Sequence, residues 1–389
     1  MTNFLSKCNT YKGNKPELTS STSKSRNVTF DIAKGLGIIL MVLAHAGGPF
    51  IKFIYLFHMP LFFILSGYFF KESCYLNFQE VKTFIKKRLK TLYIPFIACN
   101  LVFLILHNFF LDINFYTNNP LFEKGTEGNS FGLKNYYTIP TTTLKTFYTL
   151  ILATGEQLGG ATWFLKVLFF ITIFSCLGCF ILKKLIRNQK IFEISQAAIY
   201  TTLLFSGFIL YLKNFNFYAI GTMFSCSAIF YLGILYKKYE FKIKINFPLF
   251  LFCFLILLFC HINNTQKFEI GGNYYNTPVW LILASSSGFF FTLYLSKLLE
   301  KIKFIQNSLS YIGRHTIAIL CLHFLFFKII TYLQVLIYNQ PDYMLAAFPA
   351  LFNQNGWWIA YTVVGIAGPL ITLEVFNKIK GIKINEYKF

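Results

Sequence analysis

Residues 30–70 read FDIAKGLGIILMVLAHAGGPFIKFIYLFHMPLFFILSGYFF. Two apolar runs, each long enough to cross a bilayer, flank Gly47-Gly48-Pro49, a combination that predicts a tight turn. Polar side chains interrupt the runs at a few points only: Asp31, Lys34, His45, His58 and Ser66. A charge at the centre of a membrane helix costs roughly 2.5–3.5 kcal/mol on insertion scales, so groups retained there are functional candidates. Their spacing is ordered. His45 follows Lys34 by eleven residues, which at ~100° per residue returns to within ~20° of the same helix face. Asp31, three residues before Lys34, shares that face. One helix is therefore expected to carry a cation and a carboxylate at one end and an imidazole ~16 Å along its axis.

The rest of the chain extends the membrane reading. Of 389 residues, 55% are hydrophobic, 20% aromatic and only 13% charged, a balance foreign to soluble domains. The fold class expected is an all-α integral membrane protein, a bundle of about ten transmembrane helices. They are placed near 30–46, 53–70, 92–112, 161–182, 192–212, 216–236, 247–263, 278–297, 314–334 and 357–377. Residues 1–27 read as a flexible cytoplasmic tail, 28–377 as one polytopic domain and 378–389 as a basic cytoplasmic tail. No apolar stretch of signal-peptide type precedes the first span.

The net charge of +21 would suggest nucleic acid if the cations sat on a soluble domain. Instead they alternate with the apolar runs, so no nucleic-acid partner is expected. With the N-terminus inside, 26 of the 36 Lys and Arg fall in cytoplasmic segments and six in outer ones. That asymmetry places both termini in the cytoplasm. The stretch 78–92, FQEVKTFIKKRLKTL, is expected along the inner membrane surface, as an anchor among anionic headgroups or as a contact for phosphates. The segment 144–154 is too short to span. The long outer connection 113–160 is of a length often used for binding or covering a site.

Nine cysteines lie mostly inside apolar runs, and Cys176 and Cys179 read as small packing residues; no metal is expected. His45 suits a general base, since a neutral imidazole can take a hydroxyl proton. The plainer alternative is a buried histidine bonded to a neighbouring carbonyl. Lys34 and Asp31 could equally be a snorkelling lysine and its partner. His58, early in the second span, could face the same cavity as His45, with Pro60 opening the backbone hydrogen bonding nearby. Ser66-Gly67 suits close helix packing. His107 and His261, near outer helix ends, read as structural.

These motifs carry a family resemblance. D-x-x-K-x10-H from Asp31 to His45, followed by FHMPLFFILSGY at 57–68, resembles the membrane-bound acyltransferase 3 family, in its fucose-4-O-acetylase-like branch. GGATWFLKVLFF at 159–170 and LSYIGRHTIAILCLH at 309–323 fit in the expected order. The resemblance implies an O-acyltransferase moving an acetyl group from acetyl-CoA, or another acyl-CoA, to a hydroxyl of a cell-envelope carbohydrate or glycolipid. The setting implied is the lipid of a bacterial-type cytoplasmic membrane. It implies catalytic roles for His45, Lys34, Asp31 and His58. It also implies substrate or donor contacts for Arg314, His323 and Trp163. Relatives usually carry Arg where this chain has Lys34. No GxSxG and no P-loop is present. A transporter or flippase of an envelope saccharide precursor is the competing reading, since charged groups in a bundle also suit passage.

Overall fold

In a computed structural model the chain is a helical bundle, described over residues 27–122, 133–263, 267–379 and 381. The tail expected over 1–27 lies outside these residues except for Asn27. The tail expected over 378–389 lies outside them beyond Ile379, apart from Gly381. The first helices are α1 Val28–His45, α2 Ile51–Tyr55, α3 His58–Tyr68, α4 Phe78–Arg88 and α5 Ile94–Ile105. Next come α6 His107–Asp112, α7 Ile139–Leu152, α8 Trp163–Leu185, α9 Gln189–Leu212 and α10 Ile220–Tyr239. The last are α11 Phe247–Ile262, α12 Pro278–Leu299, α13 Lys303–Arg314, α14 Thr316–Ile337 and α15 Trp357–Ile379. Among the described residues the only extended pairing is one isolated bridge, Glu269 to Tyr274.

Nine helical segments among the described residues are long and apolar enough to cross a membrane. The tenth expected span forms as α11, whose 16 residues reach only ~24 Å against a hydrocarbon core of ~30 Å. Two other details differ from the sequence reading. The basic stretch 78–92 is no separate surface helix: α4 runs through a π-helical turn, Leu89–Tyr93, straight into α5. Arg314 closes α13, a separate twelve-residue helix, rather than opening the ninth span. Helix α13 alternates Lys, Gln, Asn and Arg with apolar residues, so one face packs and the other stays wet.

The turn at Gly47-Gly48-Pro49 forms as expected, with Gly47 at φ +72°, where only glycine is unstrained. The second span is broken at Leu56-Phe57. Pro60 has no N–H to give to the Leu56 carbonyl, so the hydrogen-bond ladder loses a rung at this break. The His58 ring compensates one turn back: its Nδ1 lies 2.9 Å from the Ile54 carbonyl, the group a continuous helix would pair with the His58 backbone N–H. A histidine here thus caps the break.

Close helix crossings fix the depth of the key residues. At the α1–α13 crossing a Cβ on Gly313 would sit 1.9 Å from the Asp31 carbonyl oxygen, so only glycine fits. Gly67 and Gly233 meet backbone equally closely between α3 and α10, as Ser66-Gly67 suggested. Among the described residues, polar pairs tie several of the basic segments together at one end of the bundle. Thr29 bonds Glu300, Lys183 pairs with Glu72, Lys238 with Glu193, and Tyr68 bonds Glu240. Helix α1 starts at this basic end and delivers His45 toward the opposite one.

Candidate active site

Helix α1 carries its three polar groups as the period requires. Lys34 Nζ donates to Asp31 Oδ1 at 3.2 Å, with Asp31 buried and Lys34 27% exposed. Asn27 accepts from the Phe30 N–H and caps the helix just below them. The Lys34 ammonium also lies 5.5 Å from the centre of the Phe69 ring.

At the other end of α1, His45 Nδ1 lies 3.0 Å from His323 Nε2, with the ring planes within 9° of each other. The partners decide the tautomers. His323 Nδ1 is 2.9 Å from the Ile319 carbonyl, which can only accept, so Nδ1 carries the proton. In the neutral ring Nε2 is then an acceptor, and His45 must donate to it through Nδ1. His45 Nε2 is left with a lone pair, the form a general base needs. His58 is fixed the same way: Nδ1–H donates to Ile54, leaving its Nε2 as an acceptor.

His323 is fully buried, lines neither of the two cavities described below, and meets His45 through Nε2. Phe324 packs 4.8 Å from the His45 ring and Phe348 packs 4.5 Å from Phe324. The segment bearing Phe348 is tied down by buried Lys328, which donates to the Leu345 and Ala347 carbonyls at 2.8 and 2.9 Å. The single lysine of α14 thus fixes the segment whose Phe348 packs on Phe324.

Two cavities lie near the helices that carry this pair, and His45 lines the smaller. The larger, about 600 Å³, lies among α5, α8, α14 and α15. Lys34, Arg88 and Arg314 line it, and apolar side chains such as Leu168, Leu322 and Phe376 form much of its wall. Arg88 Nε is buried there without a hydrogen-bond partner. The smaller, about 40 Å³, is lined by His45, His58, Tyr55, Trp163 and Glu269. Phe62 and Phe164, an edge-to-face pair with ring centres 5.7 Å apart, line the larger cavity.

The structure therefore brings His45, His58 and Trp163 to one pocket, and Lys34 and Arg314 to the other. His107 and His261 line neither. His107 holds the Asn135 carbonyl and His261 packs on Phe53. Cys176 and Cys179 are packing residues, bonded to the Cys74 carbonyl and to Gln196. Among the described residues no three His, Cys, Asp or Glu side chains are placed to hold a metal.

Sequence reasoning passed over Tyr55, Glu269 and Asn100. Asn100, buried in α5, bonds Thr162 Oγ1 and the Glu156 N–H, and a Cβ on Gly159 would lie 2.3 Å from its oxygen. It thus anchors the GGAT turn that presents Trp163. Its signal was visible: a lone amide in an apolar run needs partners.

Comparison with known proteins agrees with this picture. A 62-residue stretch is 42% identical to Nodulation protein NolL of Sinorhizobium fredii, covering 13% of this chain and 17% of that protein. No solved structure matches. The profile of the acyltransferase domain matches residues 27–374, from the cap of α1 into α15, so the chain belongs to the acyltransferase 3 family.

Proposed function

We propose that the protein is a membrane-bound O-acyltransferase that moves an acetyl group from acetyl-CoA to a hydroxyl of a cell-envelope carbohydrate or lipid-linked saccharide. The observation that carries this reading is the oriented His45–His323 pair, with His45 lining a small polar pocket and Lys34, on the same helix, lining a large cavity with Arg88 and Arg314. An acyl-CoA has the matching shape: phosphates at one end and a thin, largely uncharged arm leading to the thioester. Its phosphates meet Lys34, Arg88 and Arg314, guanidinium being suited to bidentate phosphate contact. The arm follows the cavity inward toward His45.

In the reaction the acceptor oxygen attacks the thioester carbonyl while His45 Nε2 takes the hydroxyl proton. His323 Nε2 accepts from the imidazolium that results. The C–S bond then breaks, the ester stays on the acceptor, and the proton passes to the departing thiolate.

The basic end faces the cytoplasm of a bacterial-type inner membrane, where acyl-CoA is found, because the cations of the alternating connections divide 26 to six along the sequence. Reporter fusions at the N-terminus and within residues 123–132 should therefore report opposite sides. Signals from the same side would reverse this arrangement.

The donor end gives a second test. One hydrogen bond to an ionised group contributes roughly 1.5–3 kcal/mol, about 10- to 150-fold in affinity. Lys34→Gln should raise the KM for acetyl-CoA by about that factor and leave the acceptor KM within about twofold, with Lys34→Arg retaining most function. An unchanged donor KM in Lys34→Gln would return Lys34 to a structural pairing with Asp31.

A further inference from the structure

The small pocket at the end of α1 is unusual in what it offers a ligand. Two neutral imidazoles line it, and both spend their Nδ1–H elsewhere: His45 on His323, His58 on the Ile54 carbonyl. Each keeps a lone pair on Nε2. A third acceptor comes from Glu269, which belongs to the turn between α11 and α12 and is closed by the bridge to Tyr274. Lys267 holds Glu269 Oε2 at 2.5 Å, which leaves the second carboxylate oxygen available. Tyr55 completes the lining, its ring 5.2 Å from that of His58. Trp163 and Glu269, both part-exposed, form the rim, and Trp163 packs against Gly271 of the same turn.

The lining offers three acceptors, the two Nε2 lone pairs and the Glu269 carboxylate, so it fits a ligand that brings hydroxyl protons. The pocket, about 40 Å³, admits about three water-sized groups and no sugar ring. A ring must stay at the rim, beside the Trp163 face, and send adjacent hydroxyls inward.

We propose that this pocket is the acceptor subsite and that it selects a polyhydroxylated ring through two neighbouring hydroxyls. One is bound at His45 and acylated; the other donates its single proton to the Glu269 carboxylate. The inference rests on the acyltransferase reading of the same site. It adds the stereochemical unit recognised, a vicinal diol, and gives Glu269 and Tyr55 a place in acceptor choice. Buried acceptors left unpaired by a missing hydroxyl make such a site discriminate strongly.

The test uses purified full-length protein in lipid nanodiscs, acetyl-CoA, a panel of methyl hexopyranosides and their mono-deoxy derivatives, and simple alcohols such as 1-propanol. Transfer to at least one glycoside is expected, with about 10²-fold or greater loss when the hydroxyl beside the acetylated one is removed. Glu269→Ala should raise the KM for the intact glycoside by about 10- to 150-fold and have little effect on the deoxy analogue. The wild-type comparison needs no variant to fold. Equal transfer to deoxy analogues or to propanol would overturn the diol inference while leaving acyl transfer standing. Acetyl-CoA hydrolysis with no glycoside accepted would do the same. Absence of any acetyl-CoA-dependent reaction would defeat the underlying reading instead.

Discussion

Replacing His45 by Ala is expected to lower acyl transfer by about 10²- to 10⁴-fold, the range over which a positioned general base accelerates proton transfer. The protein should still insert and fold. His45 is only half-buried, and the substitution takes away one hydrogen bond to His323 and the ring packing on Phe324. His45→Gln is the companion variant: it keeps comparable bulk and hydrogen bonding but cannot become a cation, so it should be as inactive as Ala. Turnover measured beside the thermal unfolding midpoint in detergent separates chemistry from stability. A variant that keeps near-normal turnover would remove His45 from the mechanism.

The second large effect is expected at His323, 278 residues away in sequence and 3.0 Å away in space. Its role is to accept from His45 Nδ1–H and so hold the proton off Nε2. His323→Leu removes that acceptor, and His45 is then free to adopt the tautomer with Nε2 protonated. Loss of tautomer control lowers turnover by about 10⁴-fold in a serine-protease triad, where an aspartate plays this part. A loss of about 10²- to 10⁴-fold is expected here. His323→Gln offers a carbonyl oxygen in place of Nε2 and should recover a measurable part of the loss. The effect should fall on kcat with the acetyl-CoA KM little changed, because His323 lines neither cavity. Equal damage from Leu and Gln, or a loss confined to the donor KM, would contradict the positioning role.

The order of the helices was legible because bilayer-length apolar runs with cationic ends leave few alternatives. The shared face of Asp31, Lys34 and His45 was legible too, since it follows from the helical period alone. What lies between helices was not. The partnership of His45 with His323 depends on how α1 and α14 pack, and no local pattern encodes it. Glu269 was missed because a turn between two spans has no period, and its place in the pocket is set by tertiary packing against Trp163. Arg88 was visible as one cation among five in its stretch, but only the run of α4 into α5 brings it to the cavity. Helix α13 was hidden by its neighbour: its pattern runs into the ninth apolar segment at Arg314-His315, and only the break there separates them. Helix α11 forms where composition marked the tenth span, but is shorter than the nine helical segments long enough to cross a membrane among the described residues.

Everything proposed for the site comes down to one event: an acetyl group passes from acetyl-CoA through this bundle to a hydroxyl under control of His45. That event can be measured with the purified protein reconstituted in vesicles alongside membrane glycolipid from cells lacking it. [1-¹⁴C]acetyl-CoA is added on the side of the basic end, and alkali-labile label in the glycolipid is followed together with CoA release. Label should be incorporated at the rate CoA is released, and should disappear in His45→Ala. Glycolipid moved across the vesicle with no label gained and no CoA released would contradict acyl transfer by this protein.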